Sequence, residues 1–313
     1  MPSRNSYAAG HFELRIDGYE PTAYVKSVGG GWSRANIADE AVGSDPQRLK
    51  QITTVDIDPI TVEFGLAGAK DMLRWIQRSW NRKDHHRRSG QITYADFNMR
   101  SMFEHHFYEA LITETTFPTL DGASKEGGYI KCKLQPESVV TTALGAPGPR
   151  ISSNVSPLQK MWTPAAFRLS IDGIDGMQYA NKIDTFTVTL ETKKFYTGAS
   201  RLPDIVPLHL KFPNITGTIS LRYADNLLKW YKDYIRTQEG PGIRDSAAQK
   251  SGSIEFLSPD REQTILRINL VDVGLVYVGV DPSSANEEQI KRLKFELYVH
   301  RMNIEGSSIL GFA

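Results

Sequence analysis

The chain has 313 residues, 40% of them apolar and 23% charged, with a formal net charge of +1 at pH 7. This length exceeds one typical domain and suits two, and a near-neutral charge spread evenly over both halves disfavours a dedicated nucleic-acid or anionic-membrane surface. The single cysteine, Cys132, excludes an intramolecular disulfide and every Cys-based metal cage.

The first residues lack the apolar core of a secretory signal, and no apolar run approaches the ~20 residues of a membrane span. Synthesis and assembly are therefore expected in the cytoplasm, without membrane insertion. From His11, Phe12, Leu14 and Ile16 alternate with Glu13, Arg15 and Asp17, the period of a half-buried strand. Asp17-Gly18 then supplies a turn pair that tolerates positive φ. Gly29-Gly30-Gly31 has no Lys-Ser/Thr after it and so is no phosphate loop; it reads as a bulge or a close backbone approach.

Arg34–Gln51 is long for a hairpin loop. Thr53–Phe64 reads as a strand in which Pro59 marks an edge or bulge. Met72, Leu73, Ile76 and Trp80 form an apolar helical stripe with Trp75 beside it. A basic run follows, with Arg82, Lys83, Arg87 and Arg88 around His85-His86. Two strands around a turn come next, containing His105-His106. The strand Gly128–Ser138 places Ile130, Cys132 and Leu134 on one face, which makes Cys132 a core thiol.

Ala143–Pro157 is dominated by Gly, Pro, Ser and Ala and reads as a linker. Beyond it the pattern starts again. Ile16-Asp17-Gly18 recurs as Ile171-Asp172-Gly173, Ile60-Thr61 as Ile215-Thr216, and Trp75 as Trp230, each 155 residues on. Ser89-Gly90 recurs as Ser251-Gly252 at 162, and Ile130 aligns with Leu293 at 163. Landmarks that keep order and register this way indicate an internal repeat. The expected fold is mainly β: two tandem antiparallel β-barrel or sandwich domains, each with one helix. Domain 1 spans 1–142, the linker 143–160, and domain 2 161–313. In the second domain Ala224, Leu227, Leu228, Tyr231 and Ile235 make the helical stripe over about 12 residues.

No catalytic, metal or cofactor set emerges. Adjacent histidines on a strand point to opposite faces, so His105 and His106 do not share a metal. His85-His86 sits among cations, and the bland reading leaves one histidine of each pair solvated or capping a loop. Asp17 and Asp172 belong to turns. Trp75 and Trp230 face either the core or a neighbouring subunit. Two long loops separate matching strands, and both suit contacts with neighbouring proteins. One carries Arg34, Asp39, Glu40, Asp45, Arg48 and Lys50; the other carries Lys193, Lys194, Phe195, Tyr196, Arg201 and Asp204. The two loops look unequal in length.

The second half, with its strand ending in Ile171-Asp172-Gly173, Leu202-Pro203 before Pro213-Asn214-Ile215-Thr216, and a Trp230-bearing helix, resembles the tail tube proteins of contractile phages and phage-tail-like injection systems. The resemblance covers Ala166–Met302 well and His11–Val139 more faintly. It implies a β-barrel with a flanking helix, joined by sheet edges into a six-domain ring that stacks into a hollow tube. It implies a structural protein rather than an enzyme, with no cofactor. Duplication then implies a trimer with pseudo-sixfold symmetry or a two-tier hexamer, at a tube end, hub or adaptor rather than the shaft. Partners would be tube, sheath, cap or baseplate and spike proteins in a phage-tail-like particle, with no specific nucleic-acid recognition. The alternative is a tandem β-barrel module that binds carbohydrate or nucleic acid.

Overall fold

A computed structural model describes residues 7–18, 25–41, 48–66, 69–81, 87–144, 148–151, 162–198, 200–236, 249–280 and 291–306. Strands β1 (Tyr7–Ile16), β2 (Val25–Gly29), β3 (Ser33–Ala41), β4 (Arg48–Ile57) and β5 (Ile60–Phe64) precede helix α1 (Lys70–Trp80). β6 (Arg88–Asp96), β7 (Ser101–Phe117), β8 (Leu120–Asp121), β9 (Ile130–Gln135) and β10 (Ser138–Ala143) follow. The second half holds β11 (Phe167–Ile171), β12 (Ala180–Ile183), β13 (Phe186–Phe195), β14 (Asp204–Lys211) and β15 (Ile215–Ser220). Helix α2 (Asp225–Tyr231) runs into a π-helical turn, Lys232–Arg236, before β16 (Lys250–Leu257), β17 (Thr264–Val280) and β18 (Arg292–Gly306).

Among the described residues every pairing is antiparallel, and the fold is mainly β as expected. One sheet runs β1-β6-β7-β9-β5-β2, and β10 also pairs with β7. The other runs β11-β16-β17-β18-β15-β12-β8. The strand registers recur at the offsets read from the sequence. Leu14 faces Ile92 and Leu169 faces Ile254; Ile60 faces Leu134 and Ile215 faces Leu297; Leu111 faces Gln135 and Gly274 faces Tyr298. Irregularities recur too. Among the described residues, Met99 and Arg261, and likewise Glu109 and Asp272, are the non-glycine residues with positive φ, at matching places in the two halves. The second pair sits where β7 and β17 turn away from the strand beside them, a bulge geometry that frees the far end of each long strand.

Several expectations needed correction. Thr53–Phe64 is two strands, because Asp58 and Pro59 interrupt the ladder between β4 and β5. The twelve-residue helix of the second half is seven α-helical residues plus the π turn. Both long loops are hairpins, β3–β4 and β13–β14. They are equal in arm register: Ala35 faces Val55 and Leu190 faces Leu210, while Asp39 faces Lys50 and Lys194 faces Ile205. The inequality expected from the sequence is therefore absent from the arms.

Strands also cross between the halves. β13 pairs with β7, Phe186 facing Phe117 and Thr189 facing Glu114, and β8 pairs with β12. A single apolar cluster runs from Leu14 to Ile304 through both halves. At its middle Phe117 stacks on Phe186, 4.9 Å apart at 15°, with Trp80 at 6.1 Å and Phe256 at 5.7 Å. Helix α1 lies over this seam, burying Met72, Leu73, Trp75, Ile76 and Trp80, and Gln77 Nε2 donates to the Ile304 carbonyl of β18 at 2.8 Å.

Candidate assembly surfaces

The hairpins carry most of the residues singled out in the sequence. Arg34 bonds Asp58 at 3.3 Å, Asp39 sits opposite Lys50, Glu40 opposite Leu49, and Arg48 opposite Ala41. Asp45 lies outside the described residues. On the second hairpin the Lys193 ammonium lies 4.9 Å over the Phe195 ring, and Asp204 faces Phe195. The two hairpins stand side by side. The Val55 amide donates to the Arg201 carbonyl at 3.0 Å, Lys194 pairs with Asp56 at 2.5 Å, and the Tyr196 hydroxyl donates to Asp56 at 3.3 Å. Lys194, then Asn36, hold the Asp56 carboxyl below its usual range, so this pair is charged at neutral pH. Because the pair is largely solvated, its worth is modest.

Trp75 and Trp230 are both buried within the chain, which leaves neither indole for a neighbouring subunit. The expected basic patch does not form from its described members. Arg87 pairs with Glu137 at 2.5 Å and donates to the Ile205 carbonyl of β14, while Arg88 donates to the Asp17 carbonyl at 3.4 Å. Glu137 also accepts from the Ile205 amide at 3.1 Å, so Arg87 and Glu137 clamp the second hairpin to the first half. Arg82, Lys83 and His85-His86 lie outside the described residues.

Asp17 and Asp172 occupy matching turns, their amides bonded to the carbonyls of Ser89 and Ser251, with Gly18 and Gly173 at positive φ. Gly30 (φ 92°) and Gly31 (φ 80°) make the close backbone approach expected of the triple glycine. Among the described residues no cluster of three His, Cys, Asp or Glu is placed to hold a metal. No helix among them is long and apolar enough to cross a membrane.

His105 is the buried member of its pair, and His106 is half-buried. The His105 Nε2 donates to the Gly31 carbonyl at 2.9 Å and its Nδ1 accepts from the Thr141 hydroxyl at 2.8 Å, with the Trp32 ring centred 4.9 Å away at a tilt of 31°. Burial lowers the His105 pKa from the ordinary 6.5. The unfolded chain therefore binds the proton that the folded chain refuses. Stability is expected to fall as pH drops below 6.5, down to the lowered folded value, and to level off beneath it. A His105→Asn variant, whatever its overall stability, should show a flatter melting temperature between pH 7 and 5 than the parent; equal slopes would refute this role.

Cys132 is fully buried, its thiol pushed up to about 12 by desolvation, with the Thr115 hydroxyl 4.0 Å away. Thiolate chemistry is thereby suppressed. An aromatic disulfide reagent at pH 8 should label no thiol in the folded protein and one per chain in denaturant; rapid labelling of the native protein would contradict the burial.

Residues 8–139 match the family described as T4-like virus tail tube protein gp19, less than half of the chain. The match falls on the half that carried the fainter resemblance in the sequence. No curated protein matches. Among solved structures, a chain of the sheath-tube complex of the PVC extracellular contractile injection system, in its extended state, is 14% identical. It has a TM-score of 0.35 and spans 45% of this chain and 89% of that one. A chain of the anti-feeding prophage cap, described as the AFP tube terminating cap, is 14% identical, with a TM-score of 0.37 over 50% and 99%. Hcp1 from Flavobacterium johnsoniae is 13% identical, with a TM-score of 0.27 over 45% and 96%. Over residues 8–139 the chain is thus similar to the T4-like virus tail tube protein gp19 family.

Proposed function

We propose that this chain is a ring-forming component of the inner tube of a contractile injection system or phage tail. It is built of two tube-like units, the first ending near residue 142 and the second beginning near residue 161. Three chains then supply the six units of one ring, and the pseudo-sixfold trimer is preferred over the two-tier hexamer. The observation that carries this reading is the addition of β13 to β7, Phe186 to Phe117 through Thr189 to Glu114. Units joined strand to strand in one sheet are lateral neighbours, whereas tiers of a stack would meet end to end. Edge pairing of this kind also hides strand edges that would otherwise aggregate.

A ring of three chains has threefold symmetry with sixfold outline. That property suits a tube end, hub or adaptor, where a threefold spike or a distinct cap meets a sixfold tube. The two hairpins support such a position through their chemistry rather than their length: Asp39 in one stands where Lys194 stands in the other, and Ala41 where Tyr196 stands. The expected partners are tube, sheath, cap or baseplate and spike proteins, in a particle assembled after cytoplasmic synthesis.

Electron microscopy of the purified protein tests the reading. The expected image is a closed ring of six lobes that caps or extends tubes when mixed with a single-unit tube protein. A uniform population of two-lobed particles at every concentration would refute it.

A further inference from the structure

A cavity of about 350 Å³ opens where the two halves meet. Trp80 and Asn81, at the end of α1, line it from the first half. Phe212, just past β14, and His300, Arg301 and Asn303 of β18 line it from the second. The Trp80 and Phe212 rings meet edge to face, 5.9 Å apart at 85°, and give it an aromatic wall. The polar rim comes from an irregularity in β18. Its buried positions fall at Val299 and Met302, so two successive residues, His300 and Arg301, are exposed between them. Across the ladder Val271 faces Arg301 and Val273 faces Val299, and Asp272 between them has φ 55°. The alternation of a regular strand is thereby interrupted, and both side chains line the cavity.

Two observations mark the cavity as more than a gap between sheets. Its polar side chains are unused: among the described residues Asn81, His300, Arg301 and Asn303 make no side-chain hydrogen bond or ion pair. Neighbouring cations do, Arg267 with Glu255 and Glu305, and Lys211 with Glu191. Nor does the repeated fold call for them. Ser138 faces Tyr108 as Arg301 faces Val271, and Val140 faces His106 as Asn303 faces Asn269. The first half therefore carries Glu137, Ser138 and Val140 where the second carries His300, Arg301 and Asn303. Glu137 is already bound to Arg87.

We propose that this cavity binds a small organic carboxylate with a flat apolar body. Its volume is near the lower end for ligand pockets, about 300–1,000 Å³, which suits a small molecule and not a chain segment. The Arg301 guanidinium offers two parallel N–H groups that match the two oxygens of a carboxylate. Asn81 and Asn303 carry further amide donors, and the Trp80–Phe212 wall takes the flat body. One permanent cation balances one carboxylate charge, whereas a phosphate dianion would be half matched. The ligand touches α1 of one half and β18 of the other, so its binding also braces the seam. The site lies within one chain and is complete without a second copy.

Benzoate is the probe, and benzamide its uncharged counterpart of the same shape. Isothermal titration calorimetry of the full chain, at constant ionic strength, is expected to show saturable benzoate binding at one site per chain. Benzamide and inorganic phosphate should each bind about tenfold more weakly or worse, the worth of a charge-assisted pair. Arg301→Gln should weaken benzoate by about the same factor and leave the melting temperature of the free protein unchanged, because Arg301 is exposed. Arg222→Gln, at an exposed cation outside the cavity, should leave benzoate affinity as it is. Saturating benzoate should raise the melting temperature of the parent and not that of Arg301→Gln. No saturable benzoate binding, equal affinity for benzamide, or undiminished affinity in Arg301→Gln would overturn the site. Phosphate bound as tightly as benzoate would overturn the carboxylate assignment.

Discussion

Truncation of Phe117 to alanine is expected to lower the unfolding free energy by about 3–5 kcal/mol, the range for a large buried aromatic. Phe117 is fully buried, the last residue of β7 and the first to meet β13. Its ring stacks on Phe186 and is approached by Trp80 and Phe256, so residues of both halves line the space its removal leaves. The cavity cannot collapse without moving two sheets at once, which puts the cost toward the upper end. The parent should unfold in one urea transition, because its core is continuous. The variant should shift the midpoint and broaden or split the transition, as the seam between the halves loosens. A loss under about 1 kcal/mol, with one sharp transition, would contradict the seam described here.

Gly30→Ala is expected to cost about 1–3 kcal/mol and to displace the start of β3. Gly30 has φ 92°, a conformation that L side chains rarely adopt, and a Cβ on it would stand 2.1 Å from the Pro59 carbonyl oxygen. Backbone there has nowhere to retreat, because the Gly31 amide bonds the Asp58 carbonyl and the Gly31 carbonyl accepts from His105. Two controls divide the effect. Gly29→Ala meets open space without positive φ and should stay within about 0.5 kcal/mol of the parent. Gly198→Ala has φ 81° in open space and should show only the conformational part. Thermal melts of the three variants check the order.

Strands with one buried face were legible in the sequence. The alternation in Phe12–Ile16 and in Ile130–Leu134 became β1 and β9, and the recurrence of Ile-Asp-Gly and of the helix tryptophan foretold the matching registers. The hairpins were not legible as strands. The first six residues of β4 are exposed, and β14 is exposed along most of its length, so no period of two is written in their hydrophobicity. β8 is two residues long and exists only because β12 of the other half receives it. His105 and His106 followed the rule that strand neighbours face opposite ways, but which ring turned inward depended on Gly31 and Thr141, 74 and 36 residues away. Arg87 read as part of a charge run, yet its partner carbonyl, Ile205, lies 118 residues on. Sequence pattern carries local periodicity; it does not carry which half lends a strand to the other.

The central claim, that two units in one chain are lateral neighbours in a closed ring, is tested most directly by the mass of the purified assembly. One chain weighs 35.1 kDa. Native mass spectrometry or light scattering should give a species of three chains that persists on dilution toward the micromolar range. A species of six chains with no three-chain form, or a single chain at every concentration, would contradict it.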